Sequence, residues 1–289
     1  MWVADQWQDY VLLDAGEGEK LERWGAYTVR RPDPQAIWPR TRGVSEWERV
    51  DAWYHRSASG GGQWEYRKRV PETWQVGYRD LRFCVKLTGF KHTGLFPEQA
   101  VNWDWLRAKI ASAGQGVQVL NLFAYTGGAT VACAAGGADV VHLDASKGMT
   151  QMARDNIQAS GLGERRVRYI VDDAVKFVER EIRRGNVYDG IILDPPSFGR
   201  GKSGEVWDLE RDLMPYLQRI KLLVRPKPLF LVINAYASGI SRYSIENIIR
   251  VLWAEQSVTV VSEEIGLPLQ SRQGVHLPAG CTIRVSSEG

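Results

Sequence analysis

Beyond residue 117, short apolar runs alternate with stretches in which apolar residues recur at helical spacing. The apolar runs predict seven strands, at 118–123, 139–144, 167–172, 188–194, 228–235, 257–263 and 281–286. Residues 147–160 and 242–254 have the period of amphipathic helices, and Gly161 is a typical signal for a helix end. Strands joined by helices predict an α/β fold with a doubly wound parallel sheet, whose ligands lie at the carboxyl ends of the strands. Residues 266–280 lack a helical pattern, which allows an antiparallel hairpin at one edge.

The first third of the chain has a different pattern, with short aromatic and apolar runs separated by Gly and Pro, which is typical of β structure. These runs predict strands at 10–13, 26–30, 50–55, 64–69, 74–77 and 81–87. A glycine-rich tip at 57–62 separates the third strand from the fourth. Ten of the 12 tryptophans precede residue 106, so the two parts also differ in composition. We therefore predict a small, mainly β domain at 1–85 and a larger catalytic domain at 86–289.

Composition narrows the class of protein. The chain has 289 residues, 25% charged and 44% hydrophobic, as expected of a globular protein, and a net charge of +3 that neither requires nor excludes a nucleic acid partner. Cys84, Cys133 and Cys281 are few and widely spaced, which indicates a reducing cytoplasm and no cysteine-rich metal site. Residues 1–10 lack the apolar core of a signal peptide, and no apolar run is long enough to span a membrane.

The stretch VLNLFAYTGGAT at 119–130 is an apolar run that ends in a glycine pair, Gly127 and Gly128, followed by small residues that can start a helix. This pattern predicts a buried strand that turns tightly into a helix N-terminus and cradles a ligand. Asp144 ends the next apolar run, at the predicted tip of the neighbouring parallel strand. A carboxylate there can accept hydrogen bonds from both hydroxyls of a ribose, so the sequence predicts a cofactor that contains a nucleoside.

The turn decides which cofactor this is. Enzymes that bind dinucleotides use G-x-G-x-x-G to approach a pyrophosphate, and this turn lacks that pattern. S-adenosylmethionine fits better, with Asp172 or Asp173 as the polar group near the adenine and Asp173 preferred. Each acid could instead be a helix N-cap, a position that Asp favours, but three acids that end successive apolar runs favour a binding site. The residues assigned to the cofactor here are Phe123, Ala124, Tyr125, Thr126, Gly127, Asp144, Ala145, Ser146, Asp172, Asp173 and Asp194.

A second motif follows the fourth predicted strand of the sheet. In Asp194-Pro195-Pro196-Ser197, two prolines fix the backbone and leave carbonyl groups free to accept hydrogen bonds. Such a loop can hold an amine or a ring nitrogen beside the methyl group, so we predict that these four residues are catalytic. Candidate substrate contacts are Phe198, Arg200, Lys202, Asn234 and Tyr236. Residues 199–205, GRGKSGE, suit RNA phosphates, although the segment could also be an ordinary surface loop.

The segments LDPPSF and NLFAYTGG together resemble class I S-adenosylmethionine-dependent methyltransferases. With FKHTGLFPEQ at 90–99, the chain resembles more narrowly the branch that includes large-subunit ribosomal RNA cytosine-5 and guanine methyltransferases, over residues 80–286. This resemblance implies a Rossmann-like methyltransferase sheet whose seventh strand is antiparallel, S-adenosylhomocysteine as a product, and ribosomal RNA as substrate. It also implies that Thr93, Gly94, Phe96 and Gln99 touch the cofactor.

The chain departs from the cytosine-5 members at one position. Methylation of C5 requires a thiolate that attacks C6, and in those members the cysteine follows the fifth strand. The corresponding segment here, VINAYAS at 232–238, has no cysteine. None of the three cysteines is placed as a nucleophile by this pattern, although Cys281 begins the last predicted strand. We therefore predict direct transfer to a nitrogen or an oxygen.

Other functions remain open at this stage. The enzyme could methylate a protein or a small molecule, or the chain could be a non-catalytic RNA-binding protein that retains a cofactor pocket; a nicotinamide oxidoreductase is disfavoured by the missing glycine motif. In the N-terminal part, the cations at 67–69 lie beside Trp64 and Tyr66, a composition that suits RNA. The tryptophans could instead pack a small β core, with the Lys and Arg side chains on its solvated face. The sequence does not predict an oligomeric state.

Overall fold

The computed structural model describes residues 1–57, 61–200, 204, 206–236 and 239–287. The chain forms two compact units. One consists of residues 1–101 and 265–279, and the other of residues 102–264 and 280–289. No helix within the described residues is long and apolar enough to span a bilayer.

The first unit is mainly β structure. Its elements are β1 (Trp2–Val3), β2 (Tyr10–Gly16), β3 (Glu19–Trp24), β4 (Tyr27–Pro32), α1 (Val44–Glu48), β5 (Ala52–Arg56), β6 (Gly62–Tyr66), β7 (Trp74–Tyr78), β8 (Leu81–Val85) and a 3₁₀ turn (Pro97–Gln99). Strands β2 to β6 form one sheet in sequence order, in which only β4 and β5 are parallel, and β7 and β8 form a separate hairpin.

Strand β3 was not predicted, because its sequence EKLERW is mostly charged. The structure buries Glu22 completely, and its carboxylate accepts hydrogen bonds from Arg31 at 2.8 Å and from the Tyr10 hydroxyl at 2.8 Å. Burial alone would raise the pKa of Glu22, but Arg31 holds that pKa below its usual range. A paired carboxylate thus occupies an interior position of a strand, which sequence periodicity alone does not reveal.

The second unit alternates strands and helices. Its elements are α2 (Ala100–Ala113), β9 (Gln118–Leu122), α3 (Gly128–Gly136), β10 (Asp139–Asp144), α4 (Lys147–Ala159), β11 (Val167–Val171), α5 (Ala174–Arg184), β12 (Gly190–Leu193), β13 (Phe198–Arg200), β14 (Val206–Asp208), α6 (Leu209–Leu223), β15 (Phe230–Ala235), α7 (Arg242–Leu252), β16 (Val258–Pro268) and β17 (His276–Ser287). The last two strands each continue into the residues of the first unit.

The predicted seven strands are confirmed, in the order β16-β17-β15-β12-β9-β10-β11, and β1 adds an eighth strand that was not predicted, parallel to β16. From β15 to β11, each strand runs parallel to its neighbour in the sheet. Strand β17 runs antiparallel to β15, as the resemblance implied. Strands β16 and β17 are longer than predicted. The short antiparallel pair β13 and β14 was not predicted; it lies within and beside the glycine-rich segment 199–205.

The central strands are packed on a continuous apolar core. Buried side chains of three neighbouring strands and of α6 form this core, among them Leu120, Leu122, Ile191, Leu193, Leu231, Ile233, Leu213, Leu217 and Ile220. Close packing on this scale leaves little room for side chains to move. The carboxyl ends of these strands are therefore held at fixed positions along one edge of the sheet.

Candidate functional site

Four chain segments emerge side by side at the carboxyl edge of the parallel strands, after β9, β10, β11 and β12. Backbone hydrogen bonds link the strand tips in order: the Ala124 amide donates to Leu143 O at 3.0 Å, and the Asp172 amide donates to Asp144 O at 3.2 Å. The Asp194 amide donates to the carbonyl of Leu122, the last residue of β9, at 3.4 Å. The acids that end the three apolar runs thus lie along one edge, as the sequence predicted.

The turn after β9 has an unusual backbone. Phe123 and Tyr125 have positive φ values, 55° and 51°, although neither is glycine. Left-handed conformations of non-glycine residues cost on the order of 1 kcal/mol each and cluster at functional sites. Gly127 has φ 81°, and a Cβ there would lie 2.8 Å from the Cβ of Ala153. Glycine is therefore required at this turn by both conformation and space.

Asp144 is fixed by the turn that it faces. One carboxylate oxygen accepts from the Tyr125 amide at 2.8 Å, and the other accepts from the Ser146 amide at 2.8 Å. Burial raises the pKa of Asp144, and these two hydrogen bonds oppose that effect. Each carboxylate oxygen has a further lone pair. The side chain is thus held rigidly and retains the capacity to accept two more hydrogen bonds.

The two acids after β11 have structural roles. Asp173 is the N-cap of α5, where its side chain accepts from the Lys176 amide at 2.9 Å. Asp172 accepts from the Asp173 amide at 2.8 Å and pairs with Arg180. The N-cap interpretation therefore applies to Asp173. A cap uses only part of the hydrogen-bonding capacity of a carboxylate, so a contact with the cofactor stays a prediction.

An aromatic cavity of about 400 Å³ lies beside the start of α5, and Asp173 is one of its lining residues. Phe123, Trp207 and Tyr216 also line it, with ring centroids 5.3 to 6.0 Å apart. Flat aromatic walls with a carboxylate at the rim suit a purine base. Sequence reasoning missed Trp207 and Tyr216; the available signal was that Trp207 is one of only two tryptophans beyond residue 105.

A second cavity, of about 550 Å³, lies at the opposite edge of the sheet. Its lining residues include Gln118 and Asp139, which begin β9 and β10, together with Arg166 and Tyr188. Ligands of open α/β sheets bind at the carboxyl ends of the strands. Although this cavity is larger, we assign the cofactor to the carboxyl edge, where the turn at 123–128 and the three acids meet.

The loop after β12 is held in place by several hydrogen bonds. The Ser197 hydroxyl donates to the Tyr236 carbonyl at 2.8 Å, and Trp207 Nε1 donates to the Pro196 carbonyl at 2.8 Å. The Pro195 carbonyl accepts no hydrogen bond from the residues that the structure describes. Phe198 is 55% exposed. This loop therefore offers a free acceptor and an aromatic side chain at the tip of β12.

Two of the predicted substrate contacts at this loop are only partly described. Only the backbone of Arg200 is described, as the end of β13, and Lys202 lies outside the described residues. Their proposed contacts with RNA stay predictions.

The structure gives Asn234 an interior role. It is 2% exposed, and its side-chain oxygen accepts from Asn102 at 3.1 Å and from the Thr282 hydroxyl at 2.8 Å. Arg284 in turn donates to the Asn102 side-chain oxygen at 2.8 Å. A polar residue near a strand tip can thus be engaged by an antiparallel neighbour, which the sequence does not reveal. Asn234 is left out of the acceptor site proposed below.

Cys281 lies opposite Ala235, at the carboxyl end of β15, and is half-buried. Burial, together with Glu264, raises the pKa of its thiol, so a thiolate is disfavoured. Cys133 is buried in α3, and burial raises its pKa as well. Among the described residues, no group of three or more His, Cys, Asp or Glu side chains could hold a metal ion.

We expect the Cys281→Ser enzyme to keep its kcat within about twofold of the wild-type value, since a protonated thiol takes no part in direct transfer. The measurement is methyl transfer under saturating substrate, with Cys84→Ser as the matched control. A loss of about 1,000-fold in the Cys281 variant alone, the scale of losing a nucleophile, would contradict direct transfer. So would a covalent adduct between the wild-type enzyme and RNA that carries 5-fluorocytosine.

The segment 93–99 belongs to the first unit. Thr93 is fully buried and Gln99 is 7% exposed. Gly94 has φ 84°, and the Phe96 ring contacts the His92 ring at a centroid distance of 5.4 Å. Most of the segment is therefore buried. The cofactor contacts that the resemblance assigns to Thr93, Gly94, Phe96 and Gln99 stay predictions.

A family model described as S-adenosylmethionine-dependent methyltransferase matches residues 46–261. The chain is similar to the protein named ribosomal RNA large subunit methyltransferase K/L in Vibrio cholerae, with 32% identity over 170 residues, and in Pseudomonas aeruginosa, with 28% identity over 259 residues. These matches cover 58% and 89% of this chain but only 23% and 34% of those proteins. The chain thus spans about a quarter to a third of the length of these relatives.

Two solved structures of methyltransferases are also similar to this chain. A SAM-dependent methyltransferase from Agrobacterium tumefaciens is similar with a TM-score of 0.91 and 37% sequence identity, over 98% of this chain and 91% of that one. A methyltransferase from Streptococcus mutans is similar with a TM-score of 0.74 and 18% identity, over 97% of this chain and 76% of that one. The second likeness is one of fold alone.

Proposed function

The chain belongs to the family of S-adenosylmethionine-dependent methyltransferases, and from this premise we propose that it methylates a base in RNA, with ribosomal RNA as the preferred substrate. The observation that carries the proposal is the row of linked strand tips, in which the turn at 123–128, Asp144 and Asp194 share one edge of the sheet.

The residues at this edge fit the parts of S-adenosylmethionine. Asp144 has two lone pairs left for the ribose hydroxyls, and the aromatic cavity that Asp173 lines would offer flat rings and a carboxylate to the adenine. The turn around Gly127 would hold the amino-acid end. When bound, the cofactor supplies a methyl group on a sulfonium that is already activated for transfer, and S-adenosylhomocysteine is the product.

The main contribution of the protein would then be to position the acceptor group relative to the methyl group. The Asp194 carboxylate would accept a hydrogen bond from the acceptor group, and the free Pro195 carbonyl would accept a second one. Phe198 would stack on the base. Ser197 keeps this loop in place through its hydrogen bond to the Tyr236 carbonyl. Holding an acceptor in line with the methyl group is a large part of what an enzyme can add to such a transfer.

The RNA substrate is supported by the names of the similar proteins, ribosomal RNA large subunit methyltransferases. Because the chain spans only a part of the length of those proteins, we propose their substrate for this chain and do not transfer it from the similarity alone. The few unpaired cysteines favour a reducing cytoplasm as its location. A methyltransferase that acts on a protein or a small molecule is the alternative.

The test is transfer of radiolabelled methyl groups from S-adenosylmethionine to the RNA, protein and small-molecule fractions of cells that lack this gene. We expect label in ribosomal RNA, which the Asp194→Ala enzyme does not produce. Label only in protein or in small molecules would refute the RNA substrate. No label in any fraction, despite binding of the cofactor, would favour a non-catalytic RNA-binding protein.

The two roles of Asp173 can be separated. We expect Asp173→Ala to lose about 1 kcal/mol of unfolding free energy with the N-cap, and to bind S-adenosylmethionine about tenfold more weakly with the loss of one charge-assisted hydrogen bond. Asp173→Ser should restore the cap and the stability but not the affinity. Chemical denaturation and calorimetric titration measure the two effects. Full affinity in Asp173→Ser would show that no carboxylate is needed at the adenine.

A further inference from the structure

Residues 86–93 form a loop in the first unit whose backbone is held by several hydrogen bonds. The Lys86 amide donates to the Thr93 carbonyl at 3.1 Å, and both the amide and the hydroxyl of Thr88 donate to the His92 carbonyl, at 3.1 and 2.8 Å. From β6, Trp64 Nε1 donates to the Thr88 carbonyl at 2.8 Å. We call these residues the 86–93 loop. Its backbone is held by its own residues and by the neighbouring strand.

Phe90 lies at the tip of this loop and is 69% exposed. The Phe90 amide donates to the Thr88 hydroxyl at 3.3 Å, and the Phe90 carbonyl accepts from Trp64 Nε1 at 3.2 Å. The backbone on both sides of the ring is thus hydrogen-bonded. An exposed aromatic ring on a fixed backbone loses little conformational entropy when a flat ring system, such as a base, stacks on it.

Lys91, the next residue, has an electrostatically unfavourable position. It is half-buried, and no carboxylate among the described residues forms an ion pair with it. Lys20 and Arg31 lie near, but each has its own partner, Asp33 at 3.0 Å and Glu22 at 2.8 Å. Burial, these two cations and Arg56 lower the pKa of Lys91, and together they outweigh Asp33, which raises it. An anion placed beside this ammonium group would relieve the repulsion.

Two neighbouring groups do not supply that anion. Burial lowers the pKa of His92 to about 4, so its ring is neutral. Asp33 is the carboxylate that acts on Lys91, but it already forms an ion pair with Lys20 at 3.0 Å. The surroundings of Lys91 therefore retain an excess of positive charge.

We propose that the 86–93 loop is a contact for single-stranded RNA, in which Phe90 stacks on a base and Lys91 pairs with an adjacent phosphate. An exposed ring beside an unpaired cation is the combination that single-stranded nucleic acids require, since every base has a face to stack on and every nucleotide has a phosphate. The inference rests on the proposed RNA substrate and extends it to a second place on the chain.

The test measures binding of fluorescein-labelled oligouridylate by anisotropy at several salt concentrations, with calorimetric titration of S-adenosylmethionine in parallel. We expect Phe90→Ala to weaken RNA binding about tenfold and Phe90→Trp to retain it. Lys91→Gln should reduce the slope of log affinity against log salt by about 0.7, the value for one phosphate on a single strand. Cofactor affinity should not change in any of these variants.

The matched controls are Ile37→Ala, which removes an 86% exposed apolar side chain of the same unit, and Arg42→Gln, which removes a cation that already pairs with Glu46 at 2.5 Å. Both should bind RNA as the wild type does. Wild-type-like RNA binding by the Phe90 and Lys91 variants would overturn this inference and leave the proposed function standing. Equal losses in the controls, or a parallel loss of cofactor affinity, would also overturn it. If the wild-type protein bound no RNA at all, the proposed substrate would fail with it.

Discussion

Replacing Asp144 by alanine is expected to weaken the binding of S-adenosylmethionine about 100-fold. Two hydrogen bonds from ribose hydroxyls to a carboxylate contribute about 1.5 kcal/mol each, and their sum of about 3 kcal/mol corresponds to that factor. The carboxylate is already fixed by the Tyr125 and Ser146 amides, so no ordering of the side chain offsets the gain. Calorimetric titration of the purified protein measures the effect.

The matched control is Asp139→Ala. Asp139 and Asp144 are the first and last residues of the same strand, β10, but Asp139 lies at the edge away from the turn, where it accepts a hydrogen bond from Gln118. We expect its cofactor affinity to stay within about threefold of the wild-type value, since its substitution removes no ribose contact. Thermal melting of both variants separates lost binding from lost folding. If a folded Asp144→Ala protein bound the cofactor as tightly as the control does, the ribose role would be refuted.

The carboxyl edge of the sheet could be predicted from the sequence because each strand there is marked at its end. The run between Asp139 and Asp144 was predicted with its observed bounds, since a charged residue stands at either end of VVHL. Glycine at position 127 was likewise predicted to form the turn, and the structure adds the reason, which is the close approach of Ala153. Local sequence patterns are sufficient to predict a strand end or a turn when the residues that determine it are neighbours in the sequence.

The remaining features depend on pairs of distant residues. Strand β3 is invisible in the sequence because the burial of Glu22 makes sense only with Arg31 beside it. In the sequence, Asn234 has the position of a substrate contact at a strand tip. In the structure, its side-chain oxygen accepts a hydrogen bond from Thr282, which lies on an antiparallel strand. The aromatic wall formed with Trp207 is similar: its members lie in separate segments, and only the fold brings them to one cavity. Single-residue patterns carry no information about such partners.

For the transfer step itself, we expect Asp194→Asn to lower kcat by about 100- to 1,000-fold, which is about 3 to 4 kcal/mol in the barrier. The substitution keeps the shape of the side chain but removes the charge that we propose orients the acceptor, while the Pro195 carbonyl remains. Because Asp144, the proposed ribose contact, is untouched, the dissociation constant of the cofactor should change by less than about tenfold. Single-turnover methyl transfer and calorimetric titration measure these two quantities separately.

Strand β12 offers a control at its other end. Asp189 immediately precedes this strand, as Asp194 immediately follows it, and its carboxylate accepts from the Gln118 amide at 2.8 Å and from Arg225 at 2.6 Å. Asp189→Asn should therefore cost stability and leave kcat close to the wild-type value. Equal kcat losses in the two variants would mean that Asp194 acts only by holding the sheet. A loss confined to Asp194→Asn, with the cofactor still bound, would identify its carboxylate as the group that positions the acceptor.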